Sequence, residues 1–159
     1  MAVSIICVGK LREKYFADAA QEYLKRLKRL MPVNVIEIPD EPEPAQPSDK
    51  LNETVMKREG EKILAKIGQQ DYVIAMCIDG KQFESTELAD KLEGLFTQGR
   101  SHITFLIGGS LGLHPDVIRR ANERMSMSKM TFPHQLARVM LLEQLFRAAK
   151  INAGERYHK

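Results

Sequence analysis

The chain has 159 residues, of which 43% are hydrophobic and 28% charged. This size and composition are typical of one globular domain and exclude a disordered, collagen-like or fibrous protein, so we predict a single domain over residues 1–159. No apolar run reaches the ~18 residues of a membrane span, and the first residues resemble a strand more than a cleavable leader, so we expect a cytoplasmic protein.

The formal net charge of +3 is distributed unevenly. Residues 1–118 carry 15 Lys and Arg against 18 Asp and Glu, whereas residues 119–159 carry nine against three. A basic C-terminal quarter favours a surface that meets phosphates, but a merely solvated basic face would give the same pattern.

The first half of the chain alternates strands and helices. A β-branched run at residues 3–8 precedes apolar residues at helical spacing from Phe16 to Leu30, and Pro32 separates that helix from an alternating strand at 33–38. Prolines at positions 39, 42, 44 and 47 then indicate a loop. A helix is predicted from about residue 50 to residue 67.

The second half continues the alternation. A strand at 72–78 is expected to end at the turn formed by Asp79 and Gly80, and a helix follows from Ser85 to about residue 97. A strand at 102–107, a short helix from Pro115 and a last helix at 133–152 complete the chain. This order predicts an α/β fold in which helices cover both faces of a mostly parallel sheet of four or five strands.

Cysteine and histidine usage gives no sign of a metal site or a disulfide. Cys7 and Cys77 lie in apolar runs, where free cysteine packs as a small hydrophobic residue. The four histidines lack the spacing of metal ligands. We therefore expect no metal.

Three predicted loops in the C-terminal half lie at the carboxyl ends of strands, which is where open α/β sheets bind ligands. They are residues 76–80, 108–113 and 126–133. If their strands are neighbours, the three segments form one pocket. Glycines at 108, 109 and 112 would let backbone amides approach a ligand closely.

Two kinds of ligand site fit the glycine segment. The run Gly108-Gly109-Ser110-Leu111-Gly112 matches the nucleophile elbow of a serine hydrolase, and Asp116 and His134 or His158 follow in the expected order. This match is the weaker one, because no helix starts directly after the serine. The other is a nucleotide-like cofactor held by backbone groups, although no complete dinucleotide or Walker motif is present.

Several distinctive motifs are spread over the whole chain. The most specific are Thr131-Phe132-Pro133-His134 and Glu143-Gln144-Leu145-Phe146-Arg147. They are accompanied by Val8-Gly9-Lys10, Leu106-Ile107-Gly108-Gly109, Ser128-Lys129-Met130, Arg138 and Tyr157-His158-Lys159. With these motifs the chain resembles the H-type ribosomal large-subunit pseudouridine methyltransferases of the SPOUT superfamily. Phe146 stands where relatives frequently have Tyr.

The resemblance implies a fold, a cofactor and a reaction. The fold would contain a C-terminal trefoil knot, which periodicity cannot reveal. S-adenosylmethionine would be the methyl donor, and a homodimer would form the active site at its interface. The reaction would be methylation of N3 of a pseudouridine in a 23S rRNA hairpin loop of the assembled ribosome. A non-catalytic ribosome-binding module is a further alternative.

The resemblance also implies site residues. The cofactor contacts would be Met76, Gly108, Met127, Ser128, Lys129, Met130, Thr131 and Phe132. The catalytic residues would be His134, Arg138, Arg147, Tyr157 and His158, as bases or as cations beside the acceptor ring. Structural roles compete with these: Arg147 could pair with Glu143 one helical turn away, Arg138 could be solvated, and His134 could serve the helix start.

Overall fold

The computed structural model describes residues 1–157, so His158 lies outside the described residues. Its centre is a five-stranded sheet in the order β2-β1-β4-β3-β5, and every strand pairing is parallel. The strands are β1 (Ala2–Val8), β2 (Val33–Ile38), β3 (Tyr72–Gln82), β4 (His102–Ile107) and β5 (Glu123–Ser126). The predicted parallel α/β sheet is confirmed.

Helices cover both faces of the sheet. They are α1 (Lys14–Leu27), α2 (Asp49–Lys66), α3 (Ser85–Thr97), α4 (Pro115–Arg120) and α5 (His134–Asn152). Successive residues of a strand point to opposite faces, and in β1 Ile5 packs with α1, α3 and α5 while Ile6 packs with α2 and α4. Two separate buried cores result, one on each face.

The interior strand β1 is paired on both sides. Its partners are β2 and β4, and the pairing with β4 sets Ala2 beside His102 and Cys7 beside Ile107. Cys7 is fully buried there, and burial raises the pKa of its thiol to about 11. Such a thiol stays protonated, in agreement with a packing role.

The expectation that β3 ends at Asp79 is wrong. The strand continues to Gln82, and Met125 of β5 pairs with both Met76 and Lys81, so residues 77–80 form a bulge. A Cβ atom on Gly80 would lie 2.6 Å from the carbonyl carbon of Met125. The Asp-Gly pair therefore forms a turn inside the strand, where glycine permits the close approach of β5.

Within residues 1–157, no helix is both long and apolar enough to span a bilayer. The same part of the chain contains no cluster of three His, Cys, Asp or Glu side chains that could hold a metal ion. The trefoil knot stays a prediction, because the strand order alone does not decide it.

Candidate functional site

The carboxyl ends of β4, β3 and β5 surround one cavity of about 770 Å³. These strands are neighbours in the sheet, so the predicted meeting of the three segments is confirmed. The volume falls within the range of about 300–1,000 Å³ that small-molecule sites occupy.

Each segment forms one wall of the cavity. The β3 bulge contributes one wall, the turn after β4 a second, and the segment between β5 and α5 a third. The lining residues in these walls are 76–79, 107–113, 125–128 and 130–134, with Ile118 and Ala137 between them.

The turn after β4 brings backbone to the cavity surface. The amide of Gly112 donates a hydrogen bond to the carbonyl of Gly109 at 3.0 Å. A Cβ atom on Gly108 would lie 2.8 Å from the carbonyl carbon of Gly112 and 3.1 Å from the nitrogen of Leu113. Only glycine fits at position 108 without moving this backbone, so peptide groups form this wall.

Hydrogen bonds order the segment between β5 and α5. The hydroxyl of Ser126 donates to the carbonyl of Ser128 at 2.9 Å, and the amide of Met130 donates to the hydroxyl of Ser128 at 3.0 Å. Met130 is 72% exposed although it lines the cavity, so it lies at the mouth. Lys129 is exposed and does not line the cavity.

His134 is the first residue of α5 and lines the same cavity. Burial lowers the pKa of its half-buried imidazole, and the nearby Arg138 guanidinium lowers it further. A Cβ atom on Gly9 would lie 3.3 Å from Cε1 of His134. His134 is therefore a neutral, closely packed side chain that can accept a proton.

Arg138 is one turn further along α5 and is only 2% exposed. Its Nη1 donates to Oε2 of Glu37 at 2.7 Å, and its Nη2 donates to the carbonyl of Gly9 at 2.8 Å. Its Nε is buried without a hydrogen-bond partner among residues 1–157. Arg138 is thus neither solvated nor part of the cavity wall, and it attaches α5 to the ends of β1 and β2.

Arg147 and Tyr157 lie together at the other end of α5. Both Nε and Nη2 of Arg147 donate to Oε1 of Glu143, at 3.1 and 2.6 Å, and its guanidinium lies 4.8 Å from the ring centre of Tyr157. Arg147 is 13 positions after His134, which corresponds to about 20 Å at the helical rise. Neither Arg147 nor Tyr157 lines the cavity of its own chain.

The geometry does not assemble a serine hydrolase. Ser110 donates to the carboxylate of Glu43 rather than to a histidine, and Asp116 pairs with Arg119. An activated serine needs a base within hydrogen-bond reach. The nucleophile-elbow match is thus only formal.

Sequence reasoning missed part of the wall. Ile118 of α4 and Ala137 of α5 line the cavity but belong to none of the predicted segments. Within segment 76–80 only Met76 was expected to contact the cofactor, although Cys77, Ile78 and Asp79 also line the cavity. The available signal was Asp79-Gly80, which marked a turn but not the continuation of the strand beyond it.

Comparison with known proteins identifies relatives over the whole chain. A family profile described as a predicted SPOUT methyltransferase matches residues 1–158. Proteins named ribosomal RNA large subunit methyltransferase H are 52% identical in Bifidobacterium animalis subsp. lactis, 52% in Clostridium novyi and 51% in Streptococcus thermophilus, each over 100% of both chains.

Solved structures share the fold at low identity. A probable methylase family protein from Haemophilus influenzae matches with a TM-score of 0.55 and 12% identity, over 99% of this chain and 70% of that one. A probable methyltransferase from Bordetella pertussis matches with a TM-score of 0.55 and 14% identity, over 92% and 95%.

These findings favour methyl transfer over the hydrolase and the non-catalytic module. SPOUT methyltransferases use S-adenosylmethionine as the methyl donor. Together, the match over residues 1–158 and the identity to full-length relatives show that this chain belongs to the SPOUT methyltransferase family.

Proposed function

We propose that this protein methylates N3 of a pseudouridine in a 23S rRNA hairpin loop of the assembled ribosome. It would act in the cytoplasm, as a single-domain subunit of a homodimer. The observation that carries the proposal is the cavity at the ends of β3, β4 and β5, in a chain 52% identical over its full length to a ribosomal RNA large subunit methyltransferase H.

The cavity suits S-adenosylmethionine in size and in chemistry. Its glycine-walled side offers peptide groups that can hydrogen-bond an adenine edge, and Met76 and Met127 offer flexible apolar surface. Met76, Gly108, Ser128, Met130, Thr131 and Phe132, with Met127, would hold the donor, and exposed Lys129 would contribute only its backbone. When bound, the donor supplies a methyl group on a positively charged sulfur.

The protein must also prepare the acceptor nitrogen, whose proton has to leave as the new N–C bond forms. Neutral His134 lies at the cavity and is the base that the geometry favours. Tyr157 and His158 are the other candidate bases. Arg147 would stabilise the negative charge that develops on the ring oxygens, whereas Arg138 would act indirectly, by holding His134 and α5 in place.

A homodimer could bring together the cavity with His134 and the pair Arg147 and Tyr157, which lie at opposite ends of α5 in one chain. Arg147 lies about 20 Å along α5 from His134 and does not line the cavity of its own chain, so a second copy is the natural source of an arginine beside each cavity. Oε2 of Glu143 is also buried without a hydrogen-bond partner within residues 1–157, which supports an environment completed by another subunit. The trefoil knot remains part of this proposal through the family alone.

The proposed reaction can be tested directly. We expect the purified protein to transfer tritium from labelled S-adenosylmethionine to ribosomes from a strain that lacks its gene, and mass spectrometry to locate the methyl group on a pseudouridine of 23S rRNA. Ribosomes from the parent strain, which are already methylated, are the control. Label in another RNA, or no transfer at all, would refute the proposal.

Gly108→Ala tests the donor site. The added Cβ would meet backbone atoms at 2.8–3.1 Å, so the turn must move, and we expect at least a roughly tenfold loss of affinity for S-adenosylhomocysteine in calorimetry. Gly94→Ala in α3 is the matched control, because a Cβ atom there meets nothing within 4 Å. Unchanged affinity in Gly108→Ala would place the donor elsewhere.

A further inference from the structure

The basic C-terminal quarter is largely neutralised in the folded chain. Most of its arginines and lysines contact carboxylates or carbonyls of the same chain, which leaves little free charge for phosphate. The contacts are Arg119 to Asp116, Arg120 to the carbonyls of Gly68 and Asp71, Arg124 to Asp79, Arg138 to Glu37, Arg147 to Glu143 and Lys150 to Glu155. Because the side chains of Arg138, Arg147 and Lys150 are at most 24% exposed, this part of the chain offers a phosphate fewer accessible charges than α1 does.

Unpaired positive charge is concentrated instead in and around α1. Residues 10–29 contain seven Lys and Arg and three Asp and Glu, and all seven basic side chains are exposed. We define the α1 strip as Lys10, Arg12, Lys14, Lys25, Lys28 and Arg29. Within residues 1–157, four of these six, all except Arg12 and Lys14, have no carboxylate within 4.0 Å.

The ion pairs of the other two members are weak. Arg12 lies 3.5 Å from Asp40, and Lys14 lies 2.6 Å from Asp18, with both partners exposed in each case. Exposed pairs of this kind typically contribute between 0 and about 1 kcal/mol. An approaching phosphate can therefore replace either carboxylate at little cost.

Helical spacing places Lys14 and Lys25 of α1 on one side of the helix, because 11 residues are close to three whole turns. Lys28, the C-cap, lies within about 60° of them, and Lys10, Arg12 and Arg29 flank the helix. Ala20 and Leu27 on the opposite side are buried against the core. The strip extends about 20 Å along the helix axis.

Contacts place one end of the strip beside the cavity. The amide of Arg12 donates to Oε1 of Gln135 at 3.0 Å, and Gly9 packs against His134. At the other end, the guanidinium of Arg26 lies 5.8 Å from the ring centres of both Tyr23 and Phe146. Helix α1, which carries the strip, thus runs along α5 from the donor cavity towards Phe146 and its neighbour Tyr157.

We propose that the α1 strip binds the phosphate backbone of the RNA substrate and directs it to the cavity. This inference rests on the proposed function, and it names the surface by which that function engages RNA. Flexible lysines suit a sequence-independent backbone contact. Tyr15, 66% exposed beside Lys14, adds an aromatic face on which an unpaired base can stack.

The triple variant Lys25→Gln/Lys28→Gln/Arg29→Gln tests the strip without touching the cavity. In filter binding to ribosomes between about 50 and about 200 mM salt, we expect about tenfold weaker binding at the lowest salt. The slope of log affinity against log salt should become shallower by about two, because fewer counterions are released. In methyl-transfer assays at the lowest salt, the KM for ribosomes should be about tenfold higher for the triple variant than for the wild-type protein. The kcat of the two proteins should be the same.

Lys57→Gln/Arg58→Gln/Lys66→Gln is the matched control. These exposed side chains lie on α2, across the sheet, and the substitution changes the net charge by the same amount. Equal weakening by both triple variants would overturn the proposal, because it would reflect net charge alone. Loss of binding to phosphatidylserine vesicles with unchanged ribosome binding would also overturn it, since the strip would then serve a lipid surface.

The binding assay does not depend on turnover. A wild-type protein that binds ribosomes through the strip but transfers no methyl group would refute the proposed function and support the strip. A wild-type protein that methylates ribosomes normally, with no change in either binding or KM in the α1 triple variant, would refute the strip and leave the proposed function standing.

Discussion

Arg147→Ala is expected to lower kcat about 100-fold, an effect of about 3 kcal/mol on the transition state. The affinity for S-adenosylhomocysteine should stay within about twofold, since Arg147 does not line the cavity of its own chain and lies about 20 Å along α5 from His134. Single-turnover methyl transfer and calorimetry measure the two quantities separately. Lys66→Ala, an exposed lysine on α2, is the control for loss of one positive charge. Equal losses of catalysis and donor affinity would contradict the role proposed for Arg147.

Mixing two impaired variants, assayed at a donor concentration well below the Kd of Gly108→Ala, shows whether the cavity and Arg147 act across a dimer. Arg147→Ala retains a normal cavity, and Gly108→Ala retains a normal Arg147. If each active site combines both subunits, a mixed dimer contains one intact site, and randomly exchanged subunits should recover about a quarter of wild-type activity. No recovery after confirmed subunit exchange would mean that one chain supplies both groups.

Arg138→Met is expected to lower the free energy of unfolding by about 3 kcal/mol. The substitution keeps an apolar stem but removes both hydrogen bonds of a side chain that is only 2% exposed. The loss should fall at the lower end of the range for broken buried pairs, because the Glu37 side chain is 39% exposed and water can reach it. Urea denaturation followed by circular dichroism gives the value.

Arg147→Met is the control that distinguishes the effect of removing a buried arginine from the effect of losing one positive charge. It is the same substitution on the same helix, but the side chain is 24% exposed and its Glu143 partner is one turn away, so we expect a loss of no more than about 1 kcal/mol. Adding Glu37→Gln to Arg138→Met should restore part of the stability, because the unpaired carboxylate is then removed. An Arg138→Met protein as stable as wild type yet inactive would indicate that Arg138 takes part in the chemistry itself.

Local patterns were sufficient for most of the fold. Helical spacing in α1, the alternation in β2 and the proline that precedes α5 each reflect a preference that acts within a few residues. β5 was harder, because its four residues include Glu123 and Arg124 and carry no apolar alternation. It is a strand because β3 lies beside it and provides hydrogen-bond partners.

The candidate site, like the fold, was predictable only where local patterns determine it. The glycine turn and the segment before α5 were predicted as cavity walls, since they follow strands of a parallel sheet. The environment of Arg138 was not predictable from spacing, because its partner Glu37 lies 101 residues earlier in the chain. Charge counts were equally uninformative about surfaces: they pointed to the C-terminal quarter, whereas intramolecular pairs leave α1 as the basic face.

The position of β1 at the interior of the sheet has a consequence for biosynthesis. Its partner β4 begins 100 residues later, with Ala2 beside His102, so β1 cannot pair with β4 until about two-thirds of the nascent chain has left the exit tunnel. Pairing between such distant segments slows folding and leaves apolar strand surface uncovered meanwhile. We therefore expect the newly made polypeptide to depend on chaperones, and to reach its protease-resistant form only after release.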